Sequence, residues 1–120
     1  MARKVYGGDA LYVAWKLGTA DAVSARRAQQ LLARGEFLKL YTLQSWVVVH
    51  GEVKALLTPA APLEQITGVI WTDTVQPISS RWIPGKRACA EMAREIESVP
   101  VGLGLATRPE QWPFSSAAAD

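Results

Sequence analysis

The sequence predicts an α+β fold in which an antiparallel sheet carries helices mainly on one of its faces. Segments with strand-like alternation of apolar residues dominate the first half of the chain and enclose one helical pattern, and further helical patterns follow. The 120 residues are 49% apolar and 20% charged, so the chain can bury one ordinary hydrophobic core. We therefore expect residues 1–120 to form a single domain with frayed ends.

The first two elements are a strand over residues 10–17 and a helix after it. The odd-numbered positions of the strand are apolar and face a core. In the helix, Thr19 suits the N-cap and Gly35 suits the residue just beyond the C-terminus. Arg26 and Arg27 lie off the apolar stripe of this helix, where they form either a solvated surface or a strip that binds phosphate groups.

Residues 37 to about 49 and 52 to 58 predict two strands with a turn or bulge between them, or one long bent strand. If the alternation runs through the junction, His50, Glu52 and Lys54 lie in a row on the less buried face of the sheet. The core face then holds Val47, Val49, Gly51, Val53, Ala55 and Leu57.

Three further elements complete the pattern. A short helix is predicted from residue 61 to about 71, an edge strand around 79–83, and a last helix over 86–98 that Pro100 ends. Cys89 lies on the apolar stripe of the last helix, where it is a small buried hydrophobe rather than a reactive thiol. The C-terminal segment is apolar enough that it must dock on the domain.

Composition excludes several classes of protein. A net charge of only +2 argues against a tail that coats a polyanion. One cysteine and one histidine exclude a disulfide scaffold and leave a metal site short of its commonest ligands, so no cofactor is expected. The sequence shows no secretory signal pattern and no long apolar run, so we expect a cytoplasmic protein without a membrane span.

Motifs for catalysis are weak. The single histidine, His50, is not near a Gly-x-Ser-x-Gly motif, and the glycine pairs lack the setting of a phosphate loop. His50 and Glu52 are the one pair that resembles a metal site, because two residues on one face of a strand can chelate an ion. The alternative is an exposed histidine beside a cross-strand ion pair. From the residues alone, the chain is a small, mildly basic α+β domain.

Several short motifs follow one another in a recognisable order. Ser-Trp-Val-Val-Val at 45–49 precedes Leu-Leu-Thr-Pro at 56–59, and Pro-Val-x-x-Gly-Leu at 100–105 precedes Arg-Pro-Glu-Gln-Trp-Pro-Phe-Ser-Ser at 108–116. This order resembles the single-strand tyrosine transposases of the HUH endonuclease superfamily, most of all their REP-associated branch. The resemblance runs from about residue 11 to the C-terminus, and the C-terminal motif is its most specific part. These motifs are structural, and we expect their tryptophans, Trp46 and Trp112, in the core.

The resemblance also implies a catalytic apparatus that this chain lacks. In the family, a Pro-Asn-His-hydrophobic-His strand holds a divalent metal ion that polarises the scissile phosphate, and the two histidine positions match Glu52 and Lys54. The nucleophilic tyrosine matches Glu95, and the asparagine that completes the metal shell matches Val99. An ammonium group cannot bind a metal ion while it keeps its proton, and a carboxylate repels the phosphate it would attack. The resemblance therefore implies a repurposed relative that is not an enzyme.

Two functions remain open. The first is an accessory or structural subunit that binds a partner chain or a larger assembly. Trp71 and Trp82 are its candidate interface residues, because they flank a region that is shorter than the family pattern. The second is an inactive domain that binds single-stranded or hairpin nucleic acid. Its candidate phosphate contacts are Arg26, Arg27, Arg81, Lys86, Arg87 and Arg94. We favour the first, because loss of the metal ligands, nucleophile and basic helix removes most of what DNA would contact.

Overall fold

The structure is a computed structural model that describes residues 9–70 and 79–118. The strands are β1 (Ala10–Lys16), β2 (Tyr41–Val49), β3 (Glu52–Pro59) and β4 (Ser79–Ile83), and the helices are α1 (Ala22–Phe37), α2 (Leu63–Ile70), α3 (Lys86–Glu97) and α4 (Val99–Gly102). Two 3-10 turns, Pro109–Gln111 and Ser116–Ala118, follow. The four strands form one antiparallel sheet in the order β2-β3-β1-β4, which confirms the predicted α+β class.

Helices lie on both faces of this sheet, which differs from the expectation that they lie mainly on one. Alternate strand residues build two separate cores. The first packs α1 and α2 onto residues such as Val13, Val48 and Leu57. The second packs α3 onto the other face, where Leu56 and Ile83 lie. The sequence pattern did not show this because α3 is amphipathic, and an amphipathic helix can cover either face of a sheet whose strands are apolar on both sides.

The turn between β2 and β3 consists of His50 and Gly51 alone. Their φ angles are 53° and 75°, and two consecutive positive φ values are what a type I′ hairpin turn requires. The predicted alternation through this junction is therefore wrong. The tight turn places Val49 directly opposite Glu52, and residues opposite each other in an antiparallel pair point to the same face. Glu52 and Lys54 thus share a face with Val49, and Val53 lies on the other.

Helix α1 begins and ends at different residues from those predicted. Its N-cap is Asp21 rather than Thr19: the Asp21 carboxylate accepts a 2.8 Å hydrogen bond from the backbone N–H of Ser24. This bond to the charged form lowers the pKa of the Asp21 carboxyl. The helix then continues through Gly35 to Phe37, so the residues from 37 that were predicted as strand are helical at first, and β2 begins only at Tyr41.

The C-terminal segment docks on the domain, as predicted, and its contacts lie at β2. The backbone N–H of Val48 donates to the carbonyl of Phe114 at 2.9 Å, and the indole N–H of Trp112 donates to the carbonyl of Val48 at 2.9 Å. The N–H of Trp46 donates to Ser116 Oγ at 3.0 Å, and this hydroxyl donates to the Glu97 carboxylate. The segment therefore covers the β2 edge of the sheet.

Side-chain burial confirms three further predictions. Cys89 is fully buried, and burial raises the pKa of its thiol. Trp46 is buried, and Trp112 is partly buried against the core that includes Leu56.

Among the described residues, no helix is both long enough and apolar enough to cross a bilayer.

Candidate functional site

The positions matched to the transposase histidines lie at an open end of the sheet face that α3 covers. Glu52 and Lys54 point to this face from β3, because they lie opposite Val49 and Val47 of β2. Leu56, the next β3 residue on the same face, is fully buried in the core with α3, whereas Glu52 and Lys54 remain partly exposed. The helix therefore covers one half of the face and leaves the other half accessible.

This accessible half contains a pocket of about 570 Å³. Three segments enclose it: the end of β1 and the residues after it (16–20), the β2–β3 hairpin around its turn, and α4 with the residue that follows it. Glu52, Lys54 and Val99, three of the four positions matched to the family's catalytic residues, line it together with His50. The sequence comparison thus selected residues that the fold does bring together.

The fourth matched position, Glu95, lies on α3 and is not among the residues that line this pocket. Its charge and that of Glu52 both act on the phenol of Tyr12, a β1 residue on the same sheet face. Burial is the largest effect on this phenol and raises its pKa, the two carboxylates raise it further, and Arg81 opposes them. The guanidinium of Arg81 lies 5.7 Å from the centre of the Tyr12 ring. Tyr12 therefore keeps its proton at neutral pH.

The charged groups of the pocket are only partly compensated. Lys16 Nζ lies 3.9 Å from Glu52 Oε2, and both side chains are about half exposed (54% and 46%). Their residues are directly opposite each other on β1 and β3. Lys54 points to the same face, and no carboxylate of the described residues forms a salt bridge with it. The pocket therefore holds two ammonium groups and one carboxylate.

The weak metal candidates, His50 and Glu52, both line this pocket. His50 is exposed in the tight turn, and Glu52 lies beside Lys16. Within residues 9–70 and 79–118, no three His, Cys, Asp or Glu side chains come together in a group that could hold a metal ion.

The six candidate phosphate contacts do not form one surface. Arg26 and Arg27 lie on α1, which packs on one face of the sheet. The other four lie on β4 and α3, at the opposite face and its edge: Arg81, Lys86, Arg87 and Arg94. All six are exposed, and Arg87 Nε lies 3.4 Å from the Glu91 carboxylate one helical turn away.

The two candidate interface tryptophans have different outcomes. Trp71 lies outside the described residues. Trp82 is 58% exposed on β4, a strand at one end of the sheet order that pairs with β1. Among the described residues no strand pairs with the outer side of β4.

Two residues of this region, Tyr12 and Lys16, were not singled out from the sequence as site residues. Lys16 lies directly opposite Glu52, and Tyr12 lies two residues before Ala14, which is opposite Lys54. These relations depend on the β1–β3 register. The sequence predicted β1 without its partner strand. Their even-numbered positions in β1 could have identified them. Even-numbered residues of this strand point away from the face that holds the core residues Val13 and Trp15.

Comparison with known proteins supports the fold. No protein-family model matches the chain, and no curated protein matches it by sequence. Among solved structures, the chain is similar to a REP-associated tyrosine transposase bound to a REP hairpin, with a TM-score of 0.76 and 14% sequence identity over 100% of this chain and 83% of that one. It is also similar to a structure of the CheA P2 domain in complex with CheY from Thermotoga maritima, with a TM-score of 0.51 and 14% identity over 64% of this chain and 100% of that one. The chain therefore has a transposase-like fold.

Proposed function

We propose that the chain is a non-catalytic, transposase-like domain that acts as an accessory or structural subunit by binding another protein chain. The observation that carries this proposal is the outer side of β4, where Trp82 is exposed next to an edge that no described strand covers. An open strand edge offers unpaired backbone N–H and C=O groups to an incoming strand, and tryptophan is enriched among the residues that dominate binding energy.

The two edges of the sheet support the choice of β4. The β2 edge is occupied by the chain's own C-terminal segment through the bond between Val48 and Phe114. A partner strand can therefore extend the sheet at β4 and is blocked at β2. Strand addition at β4 would place an incoming backbone beside Trp82, whose large ring could then be covered.

The absence of catalysis is proposed from the chemistry of the site residues. Lys54 offers an ammonium group where the family pattern has a metal ligand, and Glu95 offers a carboxylate where it has a nucleophilic hydroxyl. Tyr12, a tyrosine on this face of the sheet, has its pKa raised rather than lowered. These features favour a site that neither binds a metal ion in the family's manner nor attacks a phosphodiester.

The proposal predicts that Trp82→Ala weakens the complex with the partner about tenfold or more, because a tryptophan at the centre of an interface contributes on the order of 2 kcal/mol. The chain and its variants are purified with an affinity tag from the source cells, and the mass and stoichiometry of the complex are measured. Phe37→Ala is the matched control, since Phe37 is 83% exposed at the end of α1 and away from β4. A complex that survives Trp82→Ala unchanged contradicts the role of β4.

A second function, binding of a hairpin or single-stranded nucleic acid, is favoured by one specific observation. Arg81, Lys86, Arg87 and Arg94 are exposed on β4 and α3, at one face of the sheet and its edge, whereas Trp82 points to the other face because it lies opposite the core residue Leu11. Exposed cations grouped at one face bind phosphates, and Trp82 on the same edge strand could stack an unpaired base. The structurally similar transposase is bound to a REP hairpin, which gives this candidate a concrete ligand to test.

This second function predicts an affinity for a hairpin single strand that falls steeply with salt, because each neutralised phosphate releases counterions. Arg94→Glu then weakens binding about tenfold, whereas Lys39→Glu, in the turn between α1 and β2, has a small effect. Fluorescence anisotropy at two salt concentrations measures both. Absent or salt-insensitive binding eliminates this candidate.

A further inference from the structure

We propose that the pocket at the open end of the sheet binds a small organic carboxylate with an apolar body. This inference goes beyond the proposed protein contact and does not depend on it, because the pocket lies between the hairpin, residues 16–20 and α4, whereas the contact is placed on β4. At about 570 Å³, the pocket is within the usual range for small-molecule sites.

The apolar part of the ligand is indicated by the walls of the pocket. Val99 and Leu103, from α4 and its end, supply its accessible apolar surface, while Val47, Val49 and Leu17 also border it but are already buried in the core. Leu103 is 52% exposed although it borders this pocket, so a bound apolar group would cover surface that otherwise faces water. A purely polar ligand, such as inorganic phosphate, would leave these walls unused.

The charge of the ligand is indicated by the rim. Lys16 lies beside Glu52, and these two charges offset each other across the β1–β3 pair. Lys54 lines the same pocket and is left as the uncompensated positive charge of the three, within the described residues. One uncompensated ammonium matches one carboxylate, while a more highly charged anion would be repelled by Glu52.

The specificity of the site follows from these two features. The carboxylate of the ligand would accept hydrogen bonds from Lys54 Nζ, and its apolar body would lie against Val99 and Leu103. A neutral amide of the same shape keeps the apolar contact and loses the charge-assisted bond, so it should bind about tenfold more weakly.

Titration of the full chain with phenylacetate, phenylacetamide and inorganic phosphate, followed by NMR of the backbone amides, tests this proposal. We expect phenylacetate to bind with a Kd of about 1 mM or below, a reasonable value for a ligand of about ten non-hydrogen atoms. The perturbed amides should be those of residues 16–20, 49–54 and 99–103. Phenylacetamide and phosphate should bind at least about tenfold more weakly.

Two variants separate the charge from the apolar wall. Lys54→Met keeps an unbranched apolar side chain, removes the ammonium group and should lower phenylacetate affinity about tenfold, whereas Lys39→Met, on an exposed turn between α1 and β2, should not change it. Leu103→Ala should lower affinity about threefold to tenfold without unfolding the chain, because Leu103 is already half exposed. Equal binding of the acid and its amide, no binding of either, or shifts outside the pocket would overturn the proposal, whether or not a protein partner is found at β4.

Discussion

Replacing Gly35 by alanine is expected to destabilise the domain by about 2 kcal/mol, although alanine is the better helix former. A Cβ built on Gly35 lies 2.3 Å from the hydroxyl oxygen of Tyr41 and 2.4 Å from two of its ring carbons. Tyr41 is only 2% exposed, and its hydroxyl donates a 2.6 Å hydrogen bond to the carbonyl of Leu32. The ring therefore cannot move aside without losing both its packing and this bond.

The opposing contributions decide the sign of this effect. Overpacking a core costs about 1–3 kcal/mol, and loss of the Tyr41 hydrogen bond adds about 1 kcal/mol, whereas the gain in helix propensity is about 1 kcal/mol. Gly68→Ala is the matched control, because Gly68 lies in α2 and its Cβ would meet no atom within 4 Å. Gly68→Ala should stabilise the domain by about 0.5–1 kcal/mol. Urea denaturation measures both, and a Gly35→Ala variant as stable as the wild type would show that the α1–β2 packing is not as described.

Replacing Trp112 by alanine is expected to destabilise the domain by about 3 kcal/mol, because this side chain fixes the C-terminal segment to the sheet. Its indole N–H donates to the carbonyl of Val48, and its ring packs against the core between the sheet and α3. It also makes an edge-to-face contact with Phe114, with 6.5 Å between the ring centres. Loss of the ring removes these contacts together and loosens the bond between Phe114 and the β2 edge.

Trp82→Ala provides the comparison for Trp112→Ala. Trp82 is 58% exposed on β4, so its removal should change the free energy of unfolding by only about 0.5 kcal/mol. The two variants remove the same side chain and are measured in the same chemical denaturation experiment. Equal destabilisation by both would mean either that the C-terminal segment is not docked or that Trp82 is part of the fold.

Much of the fold could be predicted from local sequence patterns. The alternation in β1 and the edge strand around residues 79–83 appear in the structure close to the predicted bounds. The boundaries of α1 were harder to predict, because Gly35 is compatible with two roles. A glycine can end a helix, or it can lie inside a helix where another side chain approaches the backbone closely. The close neighbour, Tyr41, is six residues away and its contact depends on how β2 packs against α1.

The sheet faces were mispredicted because one local fact, the geometry of the His50-Gly51 turn, controls all residues after it. A two-residue turn with positive φ at both positions reverses the chain direction and places Val49 opposite Glu52. Continuing the alternation through the turn instead assigns every β3 residue to the wrong face. The position of α3 was missed for a related reason. Neighbouring strand residues such as Val47 and Val48 point to opposite faces of the sheet and are both apolar. The sequence pattern therefore does not show on which face each helix packs.

The candidate site was found through the resemblance rather than through spacing. Glu52 and Val99 are far apart in the chain, and no short motif links them, yet both line one pocket. Tyr12 and Lys16 belong to the same face but needed the β1–β3 register to be recognised. Arg26 and Arg87 were grouped by charge alone, and the structure separates them because α1 and α3 lie on opposite faces of the sheet.

The composition of the material that copurifies with the tagged chain from its source cells decides between the two proposed functions. Native mass spectrometry and the absorbance ratio at 260 and 280 nm identify protein and nucleic acid in the same sample. The proposed subunit should be recovered with one protein in a fixed ratio, free of nucleic acid, and Trp82→Ala should release that protein. A lone monomer, or a chain that carries nucleic acid and releases it as salt is raised, would contradict the proposed role.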